Sequence, residues 1–377
     1  MAEMFLIGSV FLIFFAYLGY PVTLLVAGWV RGRDVKRAAV SPSVTYIVTV
    51  HNEEARIGDK LENTLSLDYP KAKLQILVAS DGSGDCTNEI VRSYCGQGVE
   101  LLDIPDRRGK ENAQKEAVQS ATGDIIVFSD VATTMEAGGL RQLVSSFADP
   151  TVGCVSSEDR LLGRDGKPSG EGLYIRYEMW LRALESRANS LVGLSGSLFA
   201  ARKEVCEDFS GEMQSDFRTV LNSVKMGLRG VSDPLAVGLY QDTVDQKREW
   251  DRKIRTVVRG LTVFFCNVEL LNVFQYGLFS YQLFCHKLLR WSVPFFLVST
   301  LVSNFALIHG FFIYRFLLLL QISLYGVGIL GLLRPKMQDV ILVKIPVYFL
   351  TVNASILFAW WRYLSGQRIV TWTPTIR

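Results

Sequence analysis

The sequence predicts an α/β domain built on an open sheet, with membrane-spanning helices on both sides of it. Three observations lead there. Short β-rich runs alternate with helix-like stretches between about residues 42 and 260, the pattern of a Rossmann-like sheet with helical crossovers. Three of those runs stop at clusters of polar residues and glycine, at the strand ends where open α/β sheets bind ligands. Long uncharged stretches lie before and after this region, and a mean hydropathy of +0.22 is high for a water-soluble chain of 377 residues.

The elements follow in order. Residues 4–30 are nearly free of charge and exceed the ~20 residues a spanning helix needs. They lack a basic n-region and a small-residue cleavage site, so they read as an uncleaved anchor and not a signal peptide. Arg31, Arg33, Lys36 and Arg37 follow; the positive-inside rule assigns them, and the domain behind them, to the cytoplasm. Residues 44–50, 74–79 and 125–128 read as strands, with helices expected over 53–66, 85–95 and 137–147. Asp85 is placed to cap the second of these helices. Residues 261–290 mix apolar positions with Gln275, Gln282, His286, Lys287 and Arg290, as a helix lying in the interface does. Residues 291–309, 311–333 and 340–361 then give about three spans, followed by a tail over 362–377. Four spans put both termini outside, whereas Arg362, Arg368 and Arg377 favour a cytoplasmic tail; a crossing or re-entrant 261–285 would reconcile the two.

Charge and cysteines exclude several classes. A net charge of +3, dispersed along the chain, gives no nucleic-acid footprint. The six cysteines, at 86, 95, 154, 206, 266 and 285, form no close pair, so neither a zinc site nor a disulfide framework is indicated.

Chemistry concentrates at the strand ends. Glu53 and Asp81 follow the first and second runs, where carboxylates can accept hydrogen bonds from a nucleobase ring N–H and ribose hydroxyls. Either alone is equally well a helix start or a turn; both together, about 30 residues apart, point to nucleotide binding. Asp130 ends the third run. Asp216 opens a helix expected to reach about Met226, where alone it reads as a cap.

Jointly these motifs resemble the family-2 glycosyltransferases, the group that includes cellulose, chitin and hyaluronan synthases. His51-Asn52-Glu53-Glu54 is similar to the family's N-E-E segment, and Ser80-Asp81-Gly82-Ser83-Gly84-Asp85 to its D-D-G-S-x-D, with serine for the first acid. Gly109-Lys110-Glu111-Asn112-Ala113 resembles its G-K-x-x-A. The resemblance covers roughly 42–260 and implies a GT-A-type nucleotide-sugar transferase fold with a Rossmann-like mixed sheet. His51, Glu53 and Asp81 would hold the nucleoside, Lys110 would lie near the donor, and Asp130 would hold the nucleotide and a divalent cation, Mg2+ or Mn2+. The family's D-x-D appears with Ala132 in place of its second aspartate. Asp216 stands where the family has its base, which implies single displacement with inversion. Gly196 and Ser197 resemble the acceptor-lining segment. Of Q-x-x-R-W only Arg255 keeps its place, with Arg252 and Thr256 at the first and last positions; Arg252 and Arg255 would serve the acceptor or diphosphate side.

The implied activity is transfer from a nucleotide sugar, a UDP-sugar by resemblance, to a glycan or lipid-linked acceptor. It would take place at the plasma or inner membrane, in envelope or extracellular polysaccharide synthesis. Loss of the tryptophan platform and the small number of spans predict short additions, with export left to a separate protein. Two other readings stay open: a single-sugar transferase acting on polyprenyl phosphate or another lipid carrier, and a non-catalytic membrane scaffold.

Overall fold

The computed structural model describes residues 1–162, 173–241 and 246–367. The chain divides into two compact units, one of Leu24–Val244, Thr262–Ser280 and Ile369–Arg377, the other of Met1–Thr23, Asp245–Leu261 and Tyr281–Arg368.

The first unit is organised by one sheet. Its strands are β1 (Val44–Val50), β2 (Leu74–Asp81), β3 (Val99–Ile104), β4 (Ile125–Asp130), β5 (Val152–Leu162), β6 (Leu198–Arg202) and β7 (Arg229–Gln241). Their spatial order is β3-β2-β1-β4-β6-β5-β7. The pairs β1–β2, β1–β4, β2–β3 and β5–β7 are parallel, while β6 runs antiparallel to β4 and β5. The sheet is therefore mixed, as expected. Every residue of β1 is buried, because helices cover both faces of a central parallel strand. Thr45 hides its hydroxyl there by donating to Gln75 Oε1 at 2.7 Å.

On one face Val48, Val78 and Val127 pack with Ile57 and Leu61 of the helix Ile57–Leu65 and with Leu140, Leu143 and Val144 of the helix Gly139–Ser145. The helix expected from residue 53 begins at Ile57, because residues 53–56 form a turn closed by Arg56 N–H on the Glu53 carbonyl at 3.0 Å. The helix expected over 85–95 is Thr87–Ser93. Its first N–H is nonetheless taken by Asp85, whose Oδ1 accepts from Thr87 N at 3.0 Å.

The basic stretch after residue 31 is tied to this unit. Arg229 donates to the Arg33 carbonyl at 2.9 Å and pairs with Asp149 at 3.2 Å, both side chains only 6% exposed. Arg37 pairs with the fully buried Asp233 at 3.0 Å.

Among the described residues four helices are long and apolar enough to cross a membrane: Ala2–Arg31, Leu278–Ala306, Phe312–Leu333 and Ile341–Leu364. The interfacial region expected over 261–290 is not a separate element. Its second half is continuous with Leu278–Ala306, and the boundary expected at 290 falls inside that helix. Of its polar residues, Gln282 is fully buried and the His286 ring lies edge-on to Tyr20 at 6.5 Å, while Gln275 is exposed. Within the second unit Gly328 and Gly331 lie against Leu350 and Val347 with no room for a Cβ, the small-residue contact that lets apolar helices approach closely. Arg368 and Arg377 of the expected tail lie outside the described residues.

Candidate functional site

Strand register brings the expected residues to one edge of the sheet. Thr49 of β1 pairs with Ala79 of β2 and with Asp130 of β4, so the segments after residues 50, 80 and 130 emerge side by side. The first two are stitched together. His51 Nδ1 lies 2.7 Å from the Asp81 carbonyl, and Asn52 N–H donates to Ser83 Oγ at 3.2 Å. Gly84 N–H returns to Asn52 Oδ1 at 2.8 Å. Asn52 holds φ +53°, a left-handed position that Asn tolerates better than most residues. Gly82 is required by φ +62° and by space, since a Cβ would stand 2.9 Å from Arg107 N.

Glu53 is buried, and its carboxylate accepts from Arg56 Nε and NH2 at 2.8 and 2.7 Å. Burial pushes its pKa above the ordinary carboxylate value; Arg56 pulls it back, while the nearby charges of Asp130 and Asp85 push it up further. Glu53 and Asp130 thus share one electrostatic field.

Asp81, the residue expected on the nucleoside side, ends β2. It is wholly buried, and its two carboxylate oxygens accept the backbone N–H groups of Arg108 and Gly109, each at 2.8 Å. It therefore fixes the loop before the helix Lys110–Ser120, whose N-cap Gly109 sits at φ +105°. The first residue of that helix is Lys110. Its ammonium donates to Asp130 Oδ1 and, at 3.0 Å, to the Gly196 carbonyl.

Asp130, Gly196, Ser197 and Asp216 lie around that lysine. Asp130 N–H donates to the Ser197 carbonyl at 2.9 Å. Gly196 lies close to Asp216, since a Cβ there would stand 3.0 Å from Asp216 Oδ2. Asp216 lies in the first turn of the helix Ser215–Lys225, but Gln214 is its N-cap. The carboxylate instead accepts from Gln214 Nε2 at 3.1 Å and from Phe217 N at 2.8 Å. Lys110, Asp130, Gly196, Ser197 and Asp216 thus form one cluster, held on β4, β6 and two helix starts.

Sequence reasoning missed Asp159 of β5. Its Oδ1 accepts from Ser195 Oγ at 2.6 Å and Ser197 Oγ at 3.1 Å, which orients the segment carrying Gly196. The available signal was an acidic pair, Glu158-Asp159, ending a β-rich run. Arg252 and Arg255 are on the helix Gln246–Phe265, within the second unit. Trp250 of that helix packs its ring on Phe358 at 5.8 Å within the same unit.

Among the described residues no group of three or more His, Cys, Asp or Glu side chains is arranged to hold a metal ion. Asp130 has one oxygen on Lys110 and a side chain 36% exposed. A hard cation fits there only with most of its oxygen ligands drawn from substrate phosphates and water, a mode Mg2+ commonly uses.

Residues 45–209 match the sequence model of glycosyl transferase family 2. The chain is 27% identical over 205 residues to the poly-beta-1,6-N-acetyl-D-glucosamine synthase of Staphylococcus aureus, covering 52% of this chain and 48% of that protein. The Staphylococcus epidermidis protein of the same name is 25% identical over 171 residues, 44% of this chain and 40% of its own. The chain thus spans about half the length of the curated relatives it matches. A mannosyltransferase from Pyrobaculum calidifontis, solved with GDP-Man and Mn2+, superposes with a TM-score of 0.76 at 24% identity, covering 98% of this chain and 100% of its own. That likeness establishes the GT-A-type fold.

Proposed function

From a chain that carries a family-2 glycosyltransferase domain at residues 45–209, we propose an inverting glycosyltransferase. It moves a sugar from a nucleotide sugar to a glycan or lipid-linked acceptor at a membrane, in extracellular or envelope polysaccharide synthesis. The observation that carries this reading is the position of Lys110, bound to both Asp130 and the Gly196 carbonyl with the Asp216 carboxylate against the same glycine. A cation, a donor-side carboxylate and a base candidate then face one small volume.

The roles follow from that arrangement. His51 and Glu53, at the end of β1, line the nucleoside side, with Asp81 holding the Arg108–Lys110 backbone in place. Lys110 faces the diphosphate and stabilises charge as it departs, a contribution preorganised donors make without reorganisation. Asp216 takes the proton of the acceptor hydroxyl as its oxygen attacks the anomeric carbon, and the nucleoside diphosphate leaves from the opposite face. Gly196 and Ser197 line the acceptor side. Asp130 would hold a divalent cation, which supplies further neutralisation of the diphosphate when bound. The domain faces the cytoplasm, in keeping with Arg31, Arg33, Lys36 and Arg37 after the first span.

The test is a panel of UDP-, GDP- and TDP-sugars given to the full chain in nanodiscs, with and without Mn2+, reading nucleoside diphosphate release. Release from one donor class, raised by an acceptor, is the expected result. Binding of nucleotides without turnover of any donor would favour a non-catalytic scaffold.

A further inference from the structure

Lys60 is a buried cation that the mechanism above does not use. It lies in the helix Ile57–Leu65 beneath the sheet and is 1% exposed. Its ammonium donates to Tyr46 Oη at 3.2 Å, to Ser129 Oγ at 2.7 Å and to the Thr133 carbonyl. All three acceptors are neutral, and no carboxylate pairs with it among the described residues. Its three donors are satisfied, and the Tyr46 ring, its centroid 5.2 Å away, offers the cation a π face, but among the described residues no negative charge lies against it. Isolated buried charges are costly unless their surroundings exploit them.

Its position supplies a use. Ser129 precedes Asp130 on β4, and Thr133 closes the turn that follows it, with Thr133 N–H on the Asp130 carbonyl at 3.2 Å. The ammonium therefore grips the chain on both sides of Asp130. The same turn carries Ala132 where a second carboxylate would have drawn a cation. A charge within low-dielectric protein is screened far less than one in solvent, so it contributes to the field on the exposed side of the turn.

We propose that Lys60 is a positioning residue with an electrostatic role: it fixes the Asp130–Thr133 turn and supplies a standing positive charge behind the site of the donor diphosphate. The inference rests on the donor-site reading above. It predicts that Lys60 acts on the phosphate part of the donor and not on the base.

The test compares affinities of the full chain in nanodiscs for a nucleoside diphosphate and for the matching nucleoside. Lys60→Met, close to isosteric and uncharged, is expected to weaken the diphosphate about tenfold and leave the nucleoside within twofold. Ser129→Asp retains the amine but gives it a carboxylate, and is expected to produce the same selective loss; it decides the matter if Lys60→Met does not fold. Lys60→Arg should recover diphosphate affinity. Equal loss for both ligands, or no loss for either, overturns the inference and leaves Lys60 a structural residue. A wild type that binds no nucleoside diphosphate overturns the donor-site reading itself, and this inference with it.

Discussion

Asp81 shows how a single carboxylate can act through the backbone it holds. Its two oxygens hold the Arg108 and Gly109 N–H groups at 2.8 Å, and Lys110 starts its helix from that loop. Hydrogen bonds to a charged acceptor contribute about 1.5–3 kcal/mol each, and a donor left buried without its partner costs a similar amount. Asp81→Ala is therefore expected to loosen Lys110 and to weaken nucleoside diphosphate binding by at least about tenfold, since about 1.4 kcal/mol is one decade. Titration calorimetry with the free nucleotide measures it; unchanged affinity, or a defect confined to the acceptor, would contradict the placement. The sequence pointed to Asp81 but not to this role, because a D-G-S turn at a strand end looks the same whether its carboxylate faces a ligand or the neighbouring loop. Lys60 was illegible for a related reason. Between Asp59 and Glu62 on an amphipathic helix it reads as a solvated cation, and only the fold of β4 over it reveals burial. Asp216 and Lys110 were singled out through motif resemblance, because no apolar run in the sequence marks the segments that carry them.

At the scale of elements, β1, β2 and β4 were readable since central strands covered on both faces appear as unbroken apolar runs. The edge strand β3, Val-Glu-Leu-Leu-Asp-Ile, alternates with exposed acids. Strand β7 carries Asp233 and Pro234, and its pairing with β5 slips between Ser156 and Glu158, so neither strand has a clean period. What fixes that irregular half is partly ionic. Asp149 accepts from Thr151, Lys36 N–H and Arg229. Against the burial that would raise it, these bonds hold its pKa at about 2, below the ordinary 3.8. A depressed carboxylate stabilises the fold fully above its unfolded value and loses that contribution as pH falls through its folded one. The domain should thus lose about 2 kcal/mol from this group between roughly pH 4 and pH 2. Asp149→Asn should flatten that part of the profile, and thermal unfolding across pH 5 to 2.5 compares the two. Identical profiles would remove Asp149 from the account.

For the whole molecule, the cluster of Lys110, Asp130 and Asp216 occurs on a chain whose described residues include four helices long enough to span a bilayer. Product length is a property at this scale, because it depends on holding the new chain end after each transfer. An aromatic platform does so by stacking and by excluding water. Thr256 occupies the expected tryptophan position and is exposed, and the neighbouring Trp250 is committed to Phe358. Purified protein given donor and acceptor is expected to yield short, discrete products on mass spectrometry, with long polymer made by this chain alone as the contrary result.

The central claim, that Asp216 is the base of a transfer reaction, is tested most directly by one paired measurement on Asp216→Asn: donor affinity and acceptor-dependent nucleoside diphosphate release in the same preparation. Losing a general base costs about a hundredfold to ten-thousandfold, while the amide keeps the shape of the carboxylate beside Gly196. The account predicts release lowered by at least about a hundredfold with donor affinity within about threefold of wild type. Near-normal release from Asp216→Asn would contradict it and return Asp216 to a structural role at the start of its helix.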